Sequence, residues 1–90
     1  MNNKLSVVVK TREGVKYQGE AEAVSAHNEM GEFDILPEHS QFVTSITGKV
    51  TIHLPLGKIE QIELTQAILH VKDDKVEILG QVLAAKISDK

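Results

Sequence analysis

Lys49-Val50-Thr51-Ile52-His53-Leu54, followed at once by Pro55-Leu56-Gly57 and then by Ile59 to Leu64, reads as two strands and the turn between them. Val50, Ile52 and Leu54 alternate with Lys49, Thr51 and His53. A period of two puts the aliphatic set on one face of a pleated strand and the polar set on the other, whereas a helix needs its apolar residues three and four apart. The proline and glycine that follow stop the strand and turn the chain.

The same grammar extends in both directions. Before Lys49, Phe42 to Thr47 is another β-rich run, divided from it by Gly48. Beyond Leu64, Ile68 to Val71 leads into the tight polar turn Lys72-Asp73-Asp74 and then to Val76 and Ile78. Near the start, Leu5, Val7 and Val9 share one face; Thr11-Arg12-Glu13-Gly14 turns the chain, and Val15 to Glu20 returns it. Ala21 to His27 continues as a third strand with Val24 and Ala26 pointing the same way. Asn28 to Glu32 is a polar turn around Gly31, and Phe33 to Leu36 is a short strand stopped by Pro37. Gln81 to Ile87 reads as a last strand, although Leu83, Ala84 and Ala85 leave a short helix open.

Together these runs predict one all-β domain over residues 1–90, a flattened two-sheet antiparallel β-sandwich of about ten short strands. About 15 to 20 aliphatic side chains would fill its interior. A chain of 90 residues has room for one core, and so small a domain leaves a thin margin of stability.

Composition excludes several classes of function. There is no cysteine, hence no disulfide framework and no thiolate metal site, which fits a reducing compartment. The apolar run after Met1-Asn2-Asn3-Lys4 is too short for a signal peptide, and nothing approaches a membrane span. The expectation is a soluble protein that reaches a membrane only through a partner. Thirteen acidic against ten basic residues give a net charge of −3, and the only aromatics are Tyr17, Phe33 and Phe42. Nucleic-acid binding needs a basic footprint and usually a stacking platform, so it is not expected.

No catalytic constellation stands out. His27, His39, His53 and His70 match no metal-ligand spacing. His53 and His70 sit between apolar neighbours and should point to the outer face. Glu29 to Glu32 and Asp34 to Glu38 gather carboxylates, but in turns that read as a solvated acidic edge rather than a buried acid–base pair. No phosphate-binding loop, dinucleotide fingerprint or nucleophile elbow occurs. The expectation is a protein that is not an enzyme and takes no cofactor.

Gly31-Glu32-Phe33-Asp34-Ile35-Leu36-Pro37-Glu38-His39 is the most specific segment. It resembles the motif Gly-Glu-x-Gly-Ile-x-Pro-Gly-His of the epsilon subunit of rotary ATP synthases, with Phe42-Val43-Thr44 in the place of that family's Leu-x-Thr. Gly14 to Glu22 resembles the family's second strand. Ala67 to Val71 with Lys75 to Leu79 resembles its Leu-Glu-Val and Val-Thr-Val-Leu strands. The match is collinear over nearly the whole chain.

That resemblance implies a central-stalk coupling subunit of a proton-translocating ATP synthase. Such a subunit binds gamma and the c-ring, links ring rotation to ATP synthesis, and needs no homo-oligomer. It would lie on the cytoplasmic face of a bacterial-type energy-transducing membrane. Asn28, Glu29, Gly31 and Glu32 match the part that faces the c-ring; His39, Ser40, Gln41, Phe42 and Thr44 match the gamma-facing part. For Phe42 a core position is the competing expectation.

Departures from the pattern carry expectations of their own. Asp34 replaces a glycine, which aspartate's tolerance of positive φ allows. Glu38 replaces another and tolerates positive φ poorly, so its turn is expected to be remodelled. Gln41 stands in place of a proline. Thr65-Gln66-Ala67 replaces Ser-Gly-Gly, so if those glycines allow close approach of the gamma subunit, that interface must be built differently. The family's C-terminal helical hairpin has no counterpart before Lys90, so its nucleotide sensing and inhibition are not carried over. Two other readings remain: an unrelated β-sandwich adaptor binding through an open sheet edge, and a small hydrolase using His39 and nearby acids.

Overall fold

A computed structural model describes residues 4–82. Its strands are β1 (Leu5–Thr11), β2 (Gly14–Ala21), β3 (Ala23–Asn28), β4 (Gly31–Ile35), β5 (Phe42–His53), β6 (Ile59–Lys72) and β7 (Lys75–Val82), with a short 3-10 turn at Pro55–Gly57 between β5 and β6. All seven belong to one hydrogen-bonded sheet in the order β2-β1-β7-β6-β5-β3-β4. The class is all-β as expected, but the described residues form seven strands in one continuous sheet, where about ten short strands in two sheets were read.

The difference lies in β5 and β6. The breaks read at Gly48 and around Gln66 are irregularities inside unbroken strands of 12 and 14 residues. Opposite Thr47, β6 places both Thr65 and Gln66, so pairing shifts there and then resumes. Such a bulge adds one residue and bends the strand without ending it. It also resets the alternation: Leu64 is buried before the bulge, and Ala67, Leu69 and Val71 after it. One face of β6 thus stays inward although the sequence changes parity.

A second correction concerns direction. Five of the six strand pairings are antiparallel, but β1 and β7 run parallel, Val7 facing Val76 and Val9 facing Ile78. Parallel neighbours are joined by long crossovers, so local hairpin reading could not find this pair. Gln81 and Val82, expected to open a separate last strand or short helix over Gln81 to Ile87, are the end of β7; the rest of that run falls outside the described residues.

The core follows the alternation. Leu5, Val7 and Val9, Val24, Ala26 and Ile35, Ile46, Val50 and Ile52, Leu69, Val71, Val76 and Ile78 are all no more than 4% exposed and join one cluster. No polar or charged residue is buried among the described residues. Each buried branched side chain contributes about 1.5–3 kcal/mol relative to exposure.

The replaced glycines resolve in two ways. Asp34 is paired with Ser25 in ordinary extended strand and needs no positive φ. Glu38 itself adopts the left-handed conformation, φ +69°, although glutamate tolerates it poorly.

Candidate functional site

The turn joining β3 to β4 is built by Asn28. Its side-chain oxygen accepts the Met30 N–H at 2.8 Å, and its amide group donates to Thr44 Oγ1 at 3.1 Å. The first bond closes the turn over Gly31, whose φ of +121° suits only glycine. The second ties this hairpin to β5. Asn28, Glu29, Gly31 and Glu32 therefore share one short turn, with Glu29 and Glu32 exposed and Met30 at its tip 89% exposed. Thr44, from the other expected set, adjoins it directly.

His39, Ser40, Gln41, Phe42 and Thr44 run from the loop after β4 into β5. Ser40 and Gln41 are exposed, while His39, Phe42 and Thr44 are half-buried. The Phe42 ring meets Phe33 edge-on, centroids 5.6 Å apart at 81°, and lies 5.6 Å from the His39 ring. Edge-to-face contact is the favoured aromatic geometry. Phe42 packs against the core cluster, as the core reading expected, and stays half-buried. His39 Nδ1 lies 2.7 Å from the Ser40 carbonyl. A carbonyl only accepts, so Nδ1 carries the proton and faces the backbone.

Two features escaped the sequence reading. The first is a polar chain on the outer face of β4, β3 and β5. Ser25 Oγ donates to Asp34 Oδ1 at 2.6 Å, and His53 Nε2 lies 2.8 Å from the same Oγ. Serine has one hydroxyl proton and gives it to the carboxylate, so His53 must donate to Ser25. A nucleophilic serine needs the reverse order, with histidine accepting the hydroxyl proton and the carboxylate holding the histidine. The chain of bonds therefore braces three strands and does not activate Ser25.

The second is an apolar patch on the outer face of β5, β6, β7 and β1. Val43, Ile68 and Leu79 are 59%, 46% and 50% exposed. Ile68 faces Leu79 and Ser45 across the ladder, Val43 faces His70, and Leu79 faces Lys10. Exposed Lys10, Arg12, Lys72 and Lys75 flank it, and so does exposed Glu77, which faces His70. Glu32, Asp34 and Glu63 are exposed elsewhere on the same outer face. The aliphatic residues of this patch occupy the non-core positions of the alternation, which is the signal that could have found it.

Among the described residues, no group of three or more His, Asp or Glu side chains converges to hold a metal ion, and no helix is long and apolar enough to cross a membrane. Residues 4–85 match the family model described as the ATP synthase delta/epsilon chain, beta-sandwich domain. The chain belongs to this family. It is 33% identical over 78 residues to the ATP synthase epsilon chain of Sulfurimonas denitrificans and 36% identical over 80 residues to that of Brevibacillus brevis. Those matches cover 86% and 88% of this chain but 60% and 61% of the relatives' length. In fold it resembles a chain of the Euglena gracilis mitochondrial ATP synthase, solved with OSCP, F1 and c-ring, with a TM-score of 0.82 at 19% identity over 89% of this chain and 52% of that one. A chain of the Tetrahymena thermophila mitochondrial ATP synthase, solved as central stalk and c-ring, gives a TM-score of 0.72 at 15% identity over 87% and 63%.

Proposed function

We propose that this chain acts as an epsilon-type coupling element in the central stalk of a rotary ATP synthase, a subunit without catalysis of its own that binds gamma and the c-ring. The observation that carries the reading is family membership across residues 4–85 in a fold that places the two expected contact segments side by side, bonded through Asn28 and Thr44. The exposed carboxylates of Glu29 and Glu32 would meet basic loops of the ring, and charge complementarity there would serve specificity and encounter rate. The His39–Thr44 segment would meet gamma, and the exposed patch of Val43, Ile68 and Leu79 on the outer face of the sheet would extend that contact. Exposed aliphatics inside a charged rim are the composition of an interface centre.

The two-layer sandwich fits this reading. Tyr17 of β2 lies within the electrostatic reach of Glu60 on β6, three places away in the sheet order, and Phe33 of β4 meets Phe42 of β5 edge-on across β3. The first of these supports a single sheet bent at its bulges into two faces of one sandwich spanning the whole domain. Attachment to a membrane would be peripheral, through the complex, on the cytoplasmic side. The edge-binding adaptor fares worse: edge strand β2 carries exposed Lys16 and Glu20 and a half-buried Gly19, and charges on an edge discourage strand addition. Copurification from the source cells decides. Tagged protein should bring down gamma and c; recovery of neither, with the protein folded, would refute the proposal.

A further inference from the structure

The loop that presents His39 and Phe42 has an unusual support. Glu38 stands at φ +69°, a conformation in which the Cβ of any residue but glycine crowds the backbone. Nothing within the loop compensates: its internal backbone bond, His39 N–H to the Leu36 carbonyl, is long at 3.2 Å. The support comes from 36 residues away. Asp74 Oδ1 accepts the Glu38 N–H at 2.5 Å, a short, charge-assisted bond.

Asp74 is itself held in place. It occupies the tight turn between β6 and β7, where Asp73 and Asp74 have φ of +53° and +63°, the pair of left-handed residues that a two-residue hairpin requires. Its carbonyl accepts the Ser6 N–H at 2.8 Å, fastening the turn to the start of β1. A carboxylate anchored to two strands of the sheet thus reaches across to the one backbone amide of the loop that most needs holding.

We propose that Asp74 is a positioning residue: its carboxylate latches the Glu38 amide, keeps the loop in the left-handed turn, and so presents His39 and Phe42 as a preformed contact surface. The two acidic residues act as a compensating pair. Glutamate at position 38 strains the turn and aspartate at position 74 stabilises it. A glycine at position 38 would make the latch dispensable. The effect on binding rests on the gamma reading above; the effect on the loop does not.

The variant that isolates the latch is Asp74→Gly, because glycine accepts φ +63° and removes only the carboxylate. Asp74→Asn serves as its partner, keeping a neutral acceptor. NMR amide exchange of Glu38 should accelerate about tenfold or more in Asp74→Gly and less in Asp74→Asn, given the strength of a charge-assisted bond. Affinity for purified gamma should fall by about tenfold in Asp74→Gly. It should recover in Glu38→Gly/Asp74→Gly, in which the turn no longer needs the carboxylate. Unchanged Glu38 exchange in Asp74→Gly would overturn the latch. So would an affinity loss that Glu38→Gly does not relieve. If the parent protein does not bind gamma, the partner reading fails, and the exchange measurements still decide the latch.

Discussion

Gly80 lies in β7 opposite Ala67 of β6, just past the β6 bulge, and also faces Thr11 of β1. A Cβ added there would stand 2.4 Å from the Ala67 Cβ, 2.7 Å from the Gln66 carbonyl oxygen and 3.0 Å from the Ala67 Cα. Carbon atoms pack best at about 3.5–4.0 Å, so Gly80→Ala forces an overlap of roughly 1 Å or more. None of the three atoms is the far end of a flexible side chain, so the strands themselves must move. Overpacking of this kind costs about 1–3 kcal/mol, and a disturbed ladder bond adds about 1 kcal/mol. Against this, replacing a strand glycine gains about 0.5–1 kcal/mol in chain entropy. The net loss is about 1–3 kcal/mol, a large share of the 5–15 kcal/mol that holds a domain together.

Thermal unfolding followed by circular dichroism should show a melting temperature lower by about 5–20 °C. Urea titration should show a lower midpoint at an unchanged slope. Ala67→Gly removes the closest clash, so the double variant Gly80→Ala/Ala67→Gly should be more stable than the two single losses predict. The coupling should exceed about 0.5 kcal/mol, the limit of additivity for independent sites. A Gly80→Ala protein within about 0.5 kcal/mol of the parent, or strictly additive losses, would show that β6 and β7 do not approach this closely.

Three further outcomes follow from the surface. Glu32→Lys should leave stability within about 0.5 kcal/mol of the parent, yet weaken c-ring attachment at low salt; equal ring binding in a pulldown would remove Glu32 from the interface. Ile68→Glu places a carboxylate at the centre of the exposed patch and should abolish gamma capture with little change in melting temperature, so retained capture would clear the patch of that role. Tyr17 has its pKa raised above 10.0, first by burial and then by the Glu60 carboxylate. Glu60→Gln should therefore lower it, read by phenolate absorbance, since Tyr17 is the only tyrosine and there is no tryptophan. A raised native pKa means that the folded state holds this proton more tightly. The stabilisation is complete below pH 10 and is lost as the pH climbs through the native value.

The strands were legible because their burial alternates. Leu5, Val7 and Val9, Val24 and Ala26, and Val50 and Ile52 all point where a period of two places them. Strand number was not legible, because Gly48 and the Thr65–Gln66 pair look like punctuation in a sequence but act as a bend in the structure. A turn and a bulge use the same residue types and differ only in whether pairing resumes on the far side, which is a tertiary fact. The parallel β1–β7 pair is hidden for a related reason. Val7 and Val76 are far apart in the chain, and nothing local to either one names its partner.

The contact segments are a harder case, because family likeness located them without explaining how they are held. Glycine at position 38 would have made the turn unremarkable; glutamate there tolerates positive φ poorly. Backbone propensity argues against the left-handed conformation and is outvoted by one hydrogen bond from Asp74, a residue whose own left-handed geometry is set by the β6–β7 hairpin. Ala67 depends on a partner as well: Gly80, across the ladder, leaves the room that its methyl group occupies. A motif reading that checks positions one at a time registers a loss at position 38 and another at position 67. The structure gives each a partner, at position 74 or 80, and it is these pairs that double variants should find coupled.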